Sequence, residues 1–152
     1  YMNIDAVLHV VGCEIPSKYK SLKFIKGYGF LSKNIKEDYD KLLSIISDSD
    51  LFILPTQAEA AGIVFSEASA FGLPIFTYNT GGVGNYVKDG VNGYKLPMGS
   101  SGQDFANKIV DSLPNLFKLK EGCYGYYQSN LNWLVWSKKF DMLIKKCLYE
   151  EA

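Results

Sequence analysis

LFILPTQAEAAGIVFSEASAFGLPIFTYNTGGVGNYVKDGVNG, residues 51–93, is the stretch that decides the fold. Residues 51–54 form a short apolar run, as expected of a buried strand, and Pro55 ends it. A loop follows, then a helix that stops at Gly72-Leu73-Pro74, a second strand over 75–77 and a glycine turn. Val64, Ala68 and Phe71 recur at helical spacing, so the helix is expected to bury them. The alternation of strand and helix predicts an α/β chain, a Rossmann-like parallel sheet flanked by helices. In such sheets ligands bind outside the carboxyl ends of the strands, where the helices begin.

Glu59 and Glu67 stand eight positions apart on either side of Gly62, the first in the loop and the second in the early turns of the helix. Free amides and the positive end of the helix dipole favour an anion at Gly62, Ile63 and Val64. An ionised carboxylate only accepts hydrogen bonds, so beside a phosphate it wants hydroxyl partners. Sugars supply hydroxyls, and the stretch reads as a nucleotide-sugar site. On spacing alone Glu67 serves equally as a charge that complements the helix N-terminus. Glu59 also fits an ordinary acidic loop residue. Gly81 and Gly82, with Gly84, allow close backbone approach or positive φ at the mouth of such a site.

Elsewhere the chain reads as one domain over 1–152. Residues 6–11 are a nearly continuous apolar run, expected of a parallel strand covered on both faces, with His9 a core histidine whose ring nitrogen is satisfied. A second strand is expected over 22–25, and Tyr28 and Phe30 follow it in Gly27-Tyr28-Gly29-Phe30. That segment lacks the third glycine of a dinucleotide fingerprint. Asp38 is placed to cap a helix through Leu42, Leu43, Ile45 and Ile46. A short strand over 94–96 precedes an amphipathic helix over 104–113, with Phe105, Ile109 and Leu113 inward. Residues 121–152 read as one interrupted helix or two consecutive ones that close the domain. Their stripe Trp136, Phe140, Leu143 and Cys147 is assigned to core or interdomain packing.

Sixteen lysines balance sixteen carboxylates, which gives no bulk field for nucleic acid. Three separated cysteines suit a reducing compartment, and one histidine without paired cysteines offers no zinc site. The expected location is the cytoplasm, or the inner face of the membrane.

The motif Glu59-x7-Glu67 within EAAGIVFSEASAFGLP, followed by TGGVGNYVKDGVNG, resembles the retaining glycosyltransferases of family 4, which have the two-domain GT-B fold and belong to group 1. The similarity runs over nearly the whole chain. The resemblance implies the C-terminal, donor-binding domain. It implies that Glu67 holds the ribose hydroxyls and that Glu59 touches the donor sugar as the catalytic-site carboxylate. Amides near Gly62, Ile63 and Val64 would hold the phosphate, the glycine turn would border the donor, and Tyr28 or Phe30 would stack on the base. Their alternative is plain aromatic packing at a strand end. Two departures stand out: Asn85 occupies the place of the family's acidic residue after the glycine turn, and the chain has no arginine.

The resemblance also implies that the family's basic pair and the acceptor domain lie outside this chain, which is then inactive alone. The intact enzyme would transfer a hexosyl-like sugar to a glycan, lipid or other acceptor, in surface polysaccharide or glycoconjugate synthesis. It would need no metal and no cofactor beyond its nucleoside-diphosphate-sugar substrate. Peripheral membrane contact and association through an unpaired sheet edge stay open. So do two rivals, a non-catalytic nucleotide-binding regulatory module and a GT-B-fold sugar-nucleotide epimerase.

Overall fold

The computed structural model describes residues 4–149, so the part of the expected terminal helix over 150–152 lies outside the described residues. The chain divides into two compact units, Tyr1–Asp48 and Ser49–Ala152, each described by itself.

In the first unit, β1 (Leu8–Val10) pairs in parallel with β2 (Ile25–Gly27), and α1 (Lys36–Ser47) follows. The second strand lies later than the expected 22–25, because a helical turn and a bend occupy the residues up to Phe24. The expected cover on both faces of β1 is not found: Val7 and Leu8 are 47% and 42% exposed, and Phe24 is 51% exposed. An apolar strand is buried only where another layer meets it, and this unit supplies little. Helix α1 begins before Asp38 and has Ile35 at its N-cap, so Asp38 is no cap. Its carboxylate instead accepts from the Ser32 amide at 3.0 Å and fixes the entering loop.

The second unit is built on a three-stranded parallel sheet in the order β3 (Phe52–Leu54), β4 (Ile75–Tyr78), β5 (Gly93–Leu96). In the central strand Ile75, Phe76 and Thr77 are all buried. Successive strand residues point to opposite faces, so the sheet is covered on both sides. On one side Phe76 and Leu96 pack with Phe105 of α3 (Gly102–Ser112). Helix α2 (Ile63–Ala70) packs against β4 and against α4 (Leu116–Tyr126). Phe65, Val83, Val87, Leu119 and Cys123 are fully buried with Ile75. Each such large side chain contributes roughly 1.5–3 kcal/mol. The parallel α/β class expected from the strand–helix alternation is the one observed.

Three expectations of packing are corrected. Helix α2 buries Phe65, Ala68 and Ser69, while Phe71 lies at its C-cap and is 43% exposed. Eight residues make barely two turns, too few for an i+7 position to stay on the buried face. Leu113 falls outside α3, whose N-terminus is fixed by a capping box between Ser101 and Asp104. The tail has a helix that starts at Leu116, a π-type turn over Tyr127–Leu131, and α5 (Trp133–Tyr149). Of the two assignments given to the stripe on α5, core packing within the chain is the one that fails, because Trp136, Phe140 and Leu143 are 54%, 50% and 62% exposed. No helix among the described residues is long and apolar enough to cross a membrane.

Candidate functional site

Because β3, β4 and β5 run parallel, the loop over 55–62 after β3 and the turn Gly81–Asn85 after β4 emerge at the same edge of the sheet. Helix α2 starts there, with Gly62 at its N-cap and no side-chain cap. The loop holds Glu59, half-buried. Glu67 lies in the second turn of α2, also half-buried, next to the buried Ala68 and Ser69.

The end of β3 and the backbone of that loop are fastened from β4 and the segment after it. Thr77 Oγ1 donates to the Leu54 carbonyl at 2.7 Å, and Thr80 Oγ1 donates to the Gln57 carbonyl at 3.2 Å. The Gly82 amide donates to the Glu59 carbonyl at 2.9 Å. Gly81 has φ +47° and lies against the Glu59 backbone, while Gly82 lies against the Ala60 carbonyl. A Cβ at either position would overlap those carbonyl oxygens. Gly84 meets nothing and needs no such explanation.

The amides at the start of α2 are not equivalent. The Ile63 amide donates to the Ala61 carbonyl at 2.8 Å and the Phe65 amide to the Gly62 carbonyl at 2.9 Å. Those of Gly62 and Val64 donate to no backbone carbonyl among the described residues. At the helix start Gly62, itself buried, and Val64, half-buried, thus lack a backbone acceptor, while Ile63 is already committed. The sequence shows the helix start; it carries no sign of which amide is taken.

Tyr28 and Phe30 lie in the first unit. Tyr28 is held on two sides: its hydroxyl meets His9 Nδ1 at 2.8 Å, and the Lys41 ammonium stands 5.2 Å from its ring centre. The ring nitrogen of His9 is satisfied as expected, yet the side chain is half-buried and not in the core. Phe30 is 80% exposed. A cavity of about 400 Å³ opens at the carboxyl ends of β1 and β2, with Glu14, Lys20 and Tyr28 among its walls.

The residues that sequence reasoning missed are Thr77, Thr80 and Asn92. Asn92 is fully buried: its Oδ1 accepts from the Lys88 amide at 2.7 Å, and its Nδ2 donates to the Tyr86 carbonyl at 2.8 Å. The pair Asn92-Gly93 is legible as a turn signal, yet nothing in the sequence says the amide points inward. Among the described residues no group of three or more His, Cys, Asp or Glu is placed to hold a metal ion.

Two carboxylates and a helix start without a side-chain cap thus stand at one edge of a parallel α/β sheet, the edge at which open sheets of this class bind ligands. The family follows from comparison: residues 2–121 match the model of the glycosyl transferases group 1, and the chain belongs to that family. It is 30% identical over 103 residues to the N-acetyl-alpha-D-glucosaminyl L-malate synthase of Bacillus anthracis, covering 64% of this chain and 26% of that protein. It is 36% identical over 70 residues to the D-inositol 3-phosphate glycosyltransferase of Rhodococcus jostii, covering 46% of this chain and 15% of that one. Among solved structures, the sucrose-phosphate synthase of Thermosynechococcus elongatus superposes with a TM-score of 0.72 at 21% identity, over 95% of this chain and 39% of that one. The pneumococcal O-GlcNAc transferase, solved with UDP and GlcNAc, gives 0.63 at 20% identity, over 87% and 26%. These likenesses place the fold among GT-B structures. The chain spans well under half of each relative.

Proposed function

We propose that this chain is the C-terminal, donor-binding part of a retaining, family-4-type glycosyltransferase, with a nucleoside-diphosphate sugar as its ligand. The observation that carries the reading is the half-buried Glu59 and Glu67, flanking in sequence the Gly62 and Val64 amides that donate to no backbone carbonyl among the described residues, at one edge of a parallel sheet. The two amides donate to the diphosphate, with the dipole of α2 behind them. Glu67 accepts hydrogen bonds from ribose hydroxyls, and Glu59 accepts from a hydroxyl of the donor sugar. As the glycosidic bond breaks, negative charge grows on the departing diphosphate. Fixed amide donors stabilise that charge without a metal ion. The solved pneumococcal relative, with its UDP and GlcNAc, supports the same ligand class.

The acceptor is bound by parts of the protein beyond this chain, which by itself transfers no sugar. The whole enzyme works in the cytoplasm or at the inner membrane face, in glycan or glycoconjugate synthesis. The open edges of the two sheets are covered there by further strands or by a second copy. A ligand that binds only the native state raises the unfolding midpoint. Thermal unfolding of the chain with UDP, GDP and ADP, and with their glucose-bearing forms, therefore tests the reading. A rise with at least one pair is expected. No rise with any of them, at concentrations well above millimolar, contradicts it.

A further inference from the structure

The loop over 55–62 has no secondary structure of its own and carries the carboxylate on which sugar recognition depends. An unsupported loop would let Glu59 sample many positions. Here two rungs hold it, at Gln57 and Glu59, from donors at Thr80 and Gly82, and they continue a rung between Thr77 of β4 and Leu54 of β3. The innermost rung belongs to the sheet, since Thr77 is fully buried. The outer two belong to the segment that follows β4 and touch the backbone only.

We propose that Thr80 and Gly82 are positioning residues for Glu59, and that the glycine turn acts on the donor sugar through that loop. The proposal rests on the reading of Glu59 as the carboxylate that meets the sugar. Gly81 and Gly82 then have a role apart from touching the donor. Without side chains, they let the turn close onto the carbonyls of Glu59 and Ala60, where a Cβ would force the loop outward. Thr80 supplies the neighbouring rung through a hydroxyl, and its methyl plays no part in it. The turn is itself immobilised from behind: the Lys88 ammonium donates to the Gly84 carbonyl at 2.8 Å, and Asn92 holds the backbone at Tyr86 and Lys88. A segment fixed at its far end can hold a loop at its near end.

The test separates the sugar from the diphosphate. Titration calorimetry of the 152-residue chain with UDP and UDP-glucose, and with the GDP and ADP pairs alongside, gives the ratio of the two affinities for each variant. Thr80→Val removes the hydroxyl at nearly constant shape and should cut the advantage of the sugar-bearing ligand about fivefold, the loss expected for one hydrogen bond. The diphosphate should bind as to the parent. Thr80→Ser should restore the ratio, and Gly82→Ala should lower it at least as far as Thr80→Val. Amide exchange over 56–62 should quicken in Thr80→Val while the unfolding midpoint holds, and the affinity ratio is the readout that a merely structural role would not move. Glu59→Gln is the control. If Glu59→Gln abolishes the ratio and Thr80→Val leaves it whole, the positioning role is overturned while the reading of Glu59 survives. If Glu59→Gln leaves the ratio whole, both fall. Equal loss of both ligands in Thr80→Val overturns the proposal too. Should Gly82→Ala fail to fold, the threonine pair decides.

Discussion

The buried amide of Asn92 donates to the hydroxyl of Ser69 at 3.2 Å, tying the end of the crossover after β4 to helix α2. Both residues are fully buried, so neither group can turn to water. The same side chain serves the Lys88 amide and the Tyr86 carbonyl. Asn92→Ala would leave those groups unpaired inside the protein, at about 1–3 kcal/mol for each. We expect the variant to lose on the order of 3 kcal/mol in urea unfolding with an unchanged m-value. Asn92→Asp should lose a comparable amount, since a carboxylate cannot donate to Ser69 Oγ or Tyr86 O. A loss below about 1 kcal/mol in Asn92→Ala would contradict this account.

Cys123 is fully buried and its thiol lies 3.4 Å from the Asn92 carbonyl. Burial disfavours the thiolate and pushes the pKa from 9.0 up to about 12. Cys13 and Cys147 are exposed. Alkylation at mildly alkaline pH should therefore modify Cys13 and Cys147 quickly and Cys123 only on unfolding, as mass mapping would show. The folded state prefers the protonated thiol. Its stabilising share is whole below pH 9.0 and is lost as the pH rises from there toward about 12. Cys123→Ala should remove that alkaline component. Prompt labelling of Cys123 in the native protein would contradict the packing described.

Asp104 works in the opposite direction. The hydroxyl and amide of Ser101 hold its carboxyl below the usual 3.8. A lowered folded-state pKa stabilises above the unfolded value and loses that contribution as the pH falls through the folded one. Between about pH 7 and about pH 3, the urea midpoint of Asp104→Asn should fall less than that of the parent. An identical fall in both would show that the capping box around Ser101 does not form in solution.

Legibility in the sequence followed the kind of signal. The strands expected over 51–54 and 75–77 were readable because each is an apolar run that a proline punctuates, Pro55 after the first and Pro74 before the second. Only the second is buried on both faces, and Ile53 of the first is 36% exposed. The stop of α2 was readable because Gly72, at φ +70°, can turn the chain in a way a side chain resists. Phe71 misled because it continues the period of a helix that has already ended. On β1 and α5 the apolar pattern was real and its partner was not in view: periodicity says a face is apolar, not what covers it. The positions of Glu59 and Glu67 were legible from spacing. The rungs from Thr80 and Gly82 were not, because a hydrogen bond to a backbone carbonyl leaves no mark on the residue that carries it.

The central claim stands or falls on Glu67. A carboxylate that grips two ribose hydroxyls makes two charge-assisted hydrogen bonds, each worth roughly 1.5–3 kcal/mol. Glu67→Gln keeps the shape and helix propensity and removes the charge. It should weaken binding of the nucleoside diphosphate by up to about 3 kcal/mol, on the order of a hundredfold. Glu59→Gln should leave the diphosphate untouched and weaken only the sugar-bearing donor. Calorimetric titration of the parent and both variants with UDP, GDP and ADP, and with their glucose-bearing forms, measures this directly. A large loss in Glu67→Gln alone is the result expected. Parent-like affinity in Glu67→Gln would reduce Glu67 to a charge near a helix terminus and contradict the site.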